Sequence, residues 1–189
     1  MSKKTLGPTT LIYPMPVLLV GSNVNGKPNI MAAAWGGIAN SEPPMISVAI
    51  RPRRYTMKGI LENMTFSVNI PSVDHITEAD YCGIVSGAKS DKVAACNLQI
   101  YYGKLETAPL IEQCPINLEC KVVHILNLGS HNLVIGSVED THISEECLTD
   151  GRPDVAKIKP FAYVESITTE YRAMGENLGR PFQAGKKLK

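Results

Sequence analysis

Residues 40–72 read NSEPPMISVAIRPRRYTMKGILENMTFSVNIPS. Within them, residues 45–50 (MISVAI) and 65–70 (TFSVNI) are short apolar runs rich in β-branched side chains and bounded by Pro, Asn or Arg, as strands are. Between the two, Met57, Ile60, Leu61 and Met64 recur at helical spacing, and Thr56 stands where an N-cap belongs, predicting a helix over residues 56–63. The stretch is therefore strand, basic corner, short helix, strand, and the chain around it repeats strands far more than helices.

Further strands are predicted at residues 17–20 (VLLV), 98–102 (LQIYY), 117–125 (NLECKVVHI), 131–138 (HNLVIGSV) and 161–165 (FAYVE). Residues 117–125 alternate best, with Leu118, Cys120 and Val122 on one face and Asn117, Glu119 and Lys121 on the other, as in a half-buried antiparallel strand. Asn25-Gly26 is a turn signal between an early strand and the segment after it. Short helices are predicted at residues 74–81, 90–95 and 166–174, and no repeat of fixed period is present. Strands at this spacing, interrupted by short helices instead of alternating with long ones, favour a closed antiparallel barrel with helical excursions over a doubly wound parallel sheet.

The 189 residues suit one domain, 1–189, whose Gly-rich, basic end at 175–189 reads as an arm reaching over the surface or onto a partner chain. With 44% hydrophobic and 20% charged residues the chain can bury a core and is not intrinsically disordered. A net charge of +1 is too small for sequence-independent phosphate binding, so nucleic acid is not an expected partner and any anion site must be local. The N-terminus lacks a signal-peptide pattern and no apolar run approaches the ~20 residues needed to cross a bilayer, so a soluble, cytoplasmic protein without a membrane partner is expected. Cys82, Cys96, Cys114, Cys120 and Cys147 are odd in number, scattered and without a C-x-x-C pair, which fits reduced thiols and gives no metal site.

Two segments carry local positive charge into helix starts. Arg51-Pro52-Arg53-Arg54-Tyr55-Thr56 joins a strand to a helix, where unpaired N–H groups and fork-shaped guanidinium donors suit an anion. The alternative is a solvated charge run. Ser86-Gly87-Ala88-Lys89-Ser90-Asp91-Lys92 is a second small-residue loop with two lysines. It is neither a Walker A loop nor G-x-G-x-x-G, which disfavours an enzyme with its own dinucleotide domain. Asn29 to Trp35 (NIMAAAW) pairs three alanines with the only tryptophan. Its small side chains would let main-chain groups face a planar ligand, or else it is a tightly packed strand beside a core Trp. His131, in Gly-Ser-His, opens a strand and is either structural or a donor to a ligand.

Six ordered segments together resemble the flavin reductase-like family of FMN-binding split barrels, and within it the flavoredoxin branch. They are residues 15–22 (MPVLLVGS), 26–35 (GKPNIMAAAW), 40–72, 82–92 (CGIVSGAKSDK), 128–140 (LGSHNLVIGSVED) and 161–186. The resemblance implies a mainly β fold, a six-stranded antiparallel Greek-key split barrel with short helices, and a homodimer with FMN near the subunit interface. By the same resemblance, Asn29, Met31, Ala32, Ala33, Ala34 and Trp35 lie along the isoalloxazine, and Arg51, Arg53, Thr56, Ser86 and Lys92 surround the ribityl phosphate. His131 would contact the flavin or approach a nicotinamide donor. Many NAD(P)H-using members have Gly-Asp-His where this chain has Gly-Ser-His, while Tyr171, Met174, Gly175 and Gly179 match flavoredoxin-type tails, so an electron carrier is favoured. Its donor would be a redox protein or NAD(P)H. No general acid or base is assigned, because the flavin itself stores and passes electrons.

The competing readings are an NAD(P)H:flavin oxidoreductase that releases reduced flavin to a monooxygenase or to ferric iron, and a non-enzymatic oligonucleotide-binding barrel using residues 51–54. The second requires stacking platforms, and only 6% of the residues are aromatic.

Overall fold

A computed structural model describes residues 1–165 and 167–188, without the side chain of Lys187. The strands are β1 (Met15–Pro16), β2 (Leu18–Val24), β3 (Lys27–Ala33), β4 (Gly36–Ser41), β5 (Pro44–Ile50), β6 (Thr65–Ile70), β7 (Ile100–Tyr101), β8 (Leu110–Ile111), β9 (Ile116–Asn127), β10 (Asn132–Ile143), β11 (Leu148–Thr149), β12 (Arg152–Pro153), β13 (Phe161–Val164) and β14 (Glu170–Ala173). The α-helices are α1 (Tyr55–Asn63), α2 (Ile76–Ile84), α3 (Lys92–Ala95) and α4 (Val155–Ile158).

Seven strands form the main sheet in the order β3-β2-β6-β9-β10-β5-β4, all pairs antiparallel. A smaller sheet has the order β1-β13-β14. Consecutive strands β5 and β6 are separated in the sheet by β10 and β9, so α1 acts as a crossover between them. Met31 of β3 and Val48 and Ile50 of β5 share one core cluster with Met57, Ile60 and Phe66, although β3 and β5 lie near opposite ends of the sheet. The sheet therefore curls around a single interior.

The run Val17-Leu18-Leu19-Val20 is buried on both faces, as its unbroken hydrophobicity requires. Leu18 and Val20 face the barrel interior, whereas Val17 and Leu19 join Ile30, Ala79, Cys82 and Phe161 in a second cluster beneath α2. Helix α1 plugs the barrel with Met57 and Ile60, both fully buried and each stabilising by roughly 1.5–3 kcal/mol. The turn between β2 and β3 is Asn25-Gly26, both at positive φ (52° and 75°), as the dipeptide predicts.

Several local expectations are corrected. Residues 166–174, expected to be helical, contain strand β14, whose Tyr171 lies opposite Tyr163 on β13; Ser166 lies outside the described residues. The exposed Arg172 and buried-facing Tyr171 fit a strand once β13 supplies an edge. Helix α2 begins at Ile76, after a 3₁₀ turn over Val73–His75, and runs on to Ile84, past the expected end at residue 81. Thr56 does not cap α1: Arg54 occupies the N-cap, without a side-chain cap bond, and the Thr56 hydroxyl turns inward. Strand β3 realises the packed-strand reading of residues 29–35, whereas β4 has no strand signal in its sequence, because Gly- and Asn-rich segments have weak strand propensity and pairing with β5 decides. Finally, Asn117 and Glu119 do not face water. The chain excursion carrying β7 and β8 covers them, and the Glu119 carboxylate accepts hydrogen bonds from Lys104 N at 3.1 Å and Leu105 N at 2.6 Å.

Beyond β14, Leu178 and Phe182 stand almost fully in solvent, and the chain makes only a short 3₁₀ turn over Ala184–Leu188.

Candidate functional site

Two adjoining recesses lie where β3, the end of β5 and the loop between α2 and α3 meet. The larger is a cleft of about 580 Å³. Met31, Ala32, Ala33 and Ala34 line its floor, and Trp35, His131 and Arg51 stand at one side. Thr10, Tyr163, Glu165 and Tyr171 form the other side. The smaller pocket, about 300 Å³, is lined by Arg53, Tyr55, Thr56, Val85, Ser86 and Lys92. Met31 and Arg54 line both recesses, so the two are contiguous.

The floor follows from the strand pattern. Ala32 packs toward the second core and Ala33 toward the barrel interior, so no bulky side chain rises from β3 at this point. Trp35 is held just beyond β3 by the bond from Ala49 N to Trp35 O at 2.8 Å. Its ring tilts 31° against His131, centroids 4.7 Å apart. Partial burial and the nearby Arg51 guanidinium hold His131 below the usual imidazole range, so it is neutral at pH 7. Its Nδ1 lies 2.9 Å from Ser130 Oγ.

The smaller pocket is built on helix α2. Lys92 is only 4% exposed, and its Nζ donates to Cys82 O at 3.1 Å. Arg54 Nη1 donates to Gly83 O at 3.3 Å. Both acceptors belong to the last turn of α2, the negative end of the helix dipole, which orients both cations. Burial, helped by repulsion from the Arg54 guanidinium, holds Lys92 below the usual lysine range. Thr56 Oγ1 accepts from Asn29 Nδ2 at 2.6 Å, leaving its own O–H to donate elsewhere. Gly87 closes the loop over Asn29 at a distance no Cβ would permit, since one there would overlap Asn29 Oδ1. Ser86 Oγ accepts from Ala88 N at 3.3 Å and tightens the same turn. Among the described residues, no carboxylate ion-pairs with Arg51, Arg53, Arg54 or Lys92. Arg53, Arg54 and Lys92 thus gather positive charge in the smaller pocket of a chain whose net charge is only +1.

Arg53, Thr56, Ser86 and Lys92 meet in one pocket although Thr56 belongs to the first turn of α1 and Ser86 to the loop between α2 and α3. Arg51 opens into the cleft instead, beside His131, and Asn29 lines neither recess but lies beneath the pocket as the partner of Thr56. Met31, Ala32, Ala33, Ala34, Trp35 and His131 all line the cleft. The sequence reasoning did not single out Arg54, Tyr55, Gly83, Val85, Thr10, Tyr163, Glu165 or Tyr171 as site residues. Arg54 and Tyr55 sat inside the basic cluster and Gly83 and Val85 inside segment 82–92, so those were within reach, whereas the wall from Tyr163 to Tyr171 required knowing that β13 and β14 pair.

The flavin reductase like domain matches residues 10–164, a span that holds the whole smaller pocket and all of the cleft lining except Glu165 and Tyr171. The chain belongs to this family. It is similar to the crystal structure of flavoredoxin from Methanosarcina acetivorans, with 38% identity, 100% of each chain covered and a TM-score of 0.94. It is also similar to flavoredoxin of Desulfovibrio vulgaris (Miyazaki F), at 41% identity and a TM-score of 0.90, covering 97% of this chain and 100% of that one. A family relative from Archaeoglobus fulgidus is 34% identical over 76% of this chain and 80% of its own length. The mainly β, antiparallel split-barrel fold is shared with the flavoredoxin structures.

Proposed function

We propose that the protein is an FMN-binding flavoprotein that transfers electrons, with the alanine-floored cleft seating the isoalloxazine and the cation-rich pocket the ribityl phosphate. The observation that carries this reading is the continuity of the two recesses through Met31 and Arg54. Membership of the flavin reductase like family and the likeness to two flavoredoxins support it. The residues present fit the group: a flat, side-chain-poor floor accepts a planar ring, and buried Lys92 with Arg53, Arg54 and Thr56 matches a dianion.

FMN, when bound, supplies the electron storage and transfer. The chain's own residues bind and orient it. Main-chain groups of residues 31–35 lie along the cleft, Lys92 and Arg54 are pre-aimed by the α2 carbonyls, and Arg51 adds positive charge beside His131 at the cleft's side. With FMN bound, the Arg51 charge would stabilise negative charge gained by the ring on reduction.

The functional unit is one domain, residues 1–189, with 175–189 as an arm. Exposed Ile38, Leu126 and Leu128, next to the Trp35–His131 wall, support burial against a second copy, as a homodimer. No helix among the described residues is long and apolar enough to cross a membrane. Five free cysteines support a reducing, cytoplasmic setting.

The test is an absorbance spectrum of the purified protein before and after anaerobic addition of NADH. Flavin bands that persist through gel filtration and resist NADH support a carrier fed by a redox protein. Rapid bleaching of added flavin with saturation kinetics transfers the assignment to an NAD(P)H:flavin oxidoreductase, and a colourless protein that binds no added FMN removes the flavin reading.

A further inference from the structure

The loop that closes the smaller pocket, residues 85–91, is flanked by two cysteines that the site itself does not use. Cys82 lies in the last turn of α2, fully buried, and its backbone oxygen receives Lys92 Nζ at 3.1 Å. Cys96 is the C-cap of α3, half-buried and open to solvent on one side. Its Sγ lies 4.0 Å from Glu78 O, which is one helical turn before Cys82 on the same face of α2. Both thiols pack in the cluster beneath α2, close enough that each perturbs the protonation of the other.

We propose that Cys82 and Cys96 form a thiol pair that hydrogen peroxide converts to a disulfide, tying α2 to α3 across the pocket loop. Cys96 is the attacking sulfur, because it is the partly exposed one of the two. The Cys96 thiol gives up its proton and its sulfur attacks the peroxide, breaking the O–O bond and leaving a sulfenic acid and water. The Cys82 thiol then loses its proton, attacks that sulfenyl sulfur and expels a second water. In total two thiols and one peroxide give one disulfide and two waters. Burial pushes Cys82 up to about 12 and Cys96 above the usual thiol range, while the Lys92 cation pulls both back. The reaction is consequently slow at neutral pH and accelerates in alkaline solution.

The disulfide would enclose the loop that carries Val85, Ser86 and Lys92, so it restricts the movement by which a ligand leaves the pocket. This second effect rests on the FMN reading, whereas formation of the bond does not.

Reduced protein is treated with hydrogen peroxide at pH 7 and pH 9, then alkylated and mapped by non-reducing peptide mass spectrometry. The expected result is a loss of two hydrogens in a Cys82–Cys96 linked peptide, forming at least tenfold faster at pH 9 and absent in Cys96→Ser. Alkylation of both cysteines after treatment, a link from Cys82 to Cys114 instead, or over-oxidation of Cys96 without a link overturns the proposal. FMN release is then measured from reduced and oxidised protein, with a severalfold slower release expected from the oxidised form. Equal release rates overturn the gating effect alone and leave the disulfide standing, and failure to bind FMN at all counts against the proposed function and not against the thiol pair.

Discussion

The Asn29 amide and the Thr56 hydroxyl meet at 2.6 Å beside the smaller pocket, joining β3 to the first turn of α1. The bond fixes which way the Thr56 hydroxyl faces, because its oxygen is already accepting. Asn29→Ala should therefore lower FMN affinity by about tenfold, matching the roughly 1–1.5 kcal/mol of a buried neutral hydrogen bond. Fluorescence titration with FMN and with riboflavin checks it, and riboflavin should change little.

Lys92→Ala removes a buried charge from the smaller pocket, which on the proposed reading holds the phosphate. A charge-assisted bond is worth about 1.5–3 kcal/mol, so FMN should weaken by roughly 10- to 150-fold while riboflavin is nearly unaffected. Equal losses for both ligands would place Lys92 away from the phosphate.

The direction of the Lys92 shift fixes a pH effect. Because burial lowers its folded value, the unfolded chain holds the proton where the folded chain has lost it, between that lowered value and the ordinary 10.5. The extra proton in the unfolded state makes ligand-free stability rise with pH through this window. The stability of wild type minus that of Lys92→Met, from urea denaturation without flavin, should climb accordingly. FMN affinity should fall over the same range, since phosphate binding favours the charged amine.

Tyr171 Oη donates to Asp80 Oδ1 at 2.8 Å, pinning β14 to α2 across the cleft wall. Burial and this carboxylate hold its hydroxyl above the usual phenol range, so it stays protonated. Tyr171→Phe should cost about 1.5 kcal/mol, roughly 3–6 °C in a calorimetric Tm for a chain of this size.

Gly59 sits within α1 against β2, where a Cβ would overlap Asn23 O. Alanine ordinarily gains about 1 kcal/mol over glycine in a helix. Here overpacking against backbone should win, giving a net loss of about 1–3 kcal/mol in urea unfolding.

These residues show how far a sequence reading reaches. The basic corner at 51–56 and the loop at 86–92 are visible as charge and small residues, and the fold does bring Thr56 and Lys92 into one pocket. Local rules misplace what tertiary contacts decide. Thr56 reads as a helix cap because its partner, Asn29, is 27 residues away. Residues 170–173 read as helix because nothing local shows that they pair with β13, although β13 itself is legible as a strand at 161–165. Glu119 reads as a solvent-facing residue because the groups that cover it, Lys104 N and Leu105 N, come from the connection between β7 and β8 and not from a neighbour in its own strand.

Met31 and Arg54 belong to both recesses. Once one end of a ligand is seated, its other end is already confined beside the second recess, at an effective concentration set by the tether between them. A ring without the tail, or a phosphate without the ring, gains only one foothold. The protein thereby selects by the spacing between two chemically different ends, so shortening or lengthening the linking chain of a ligand forfeits most of its grip even when both ends are kept intact.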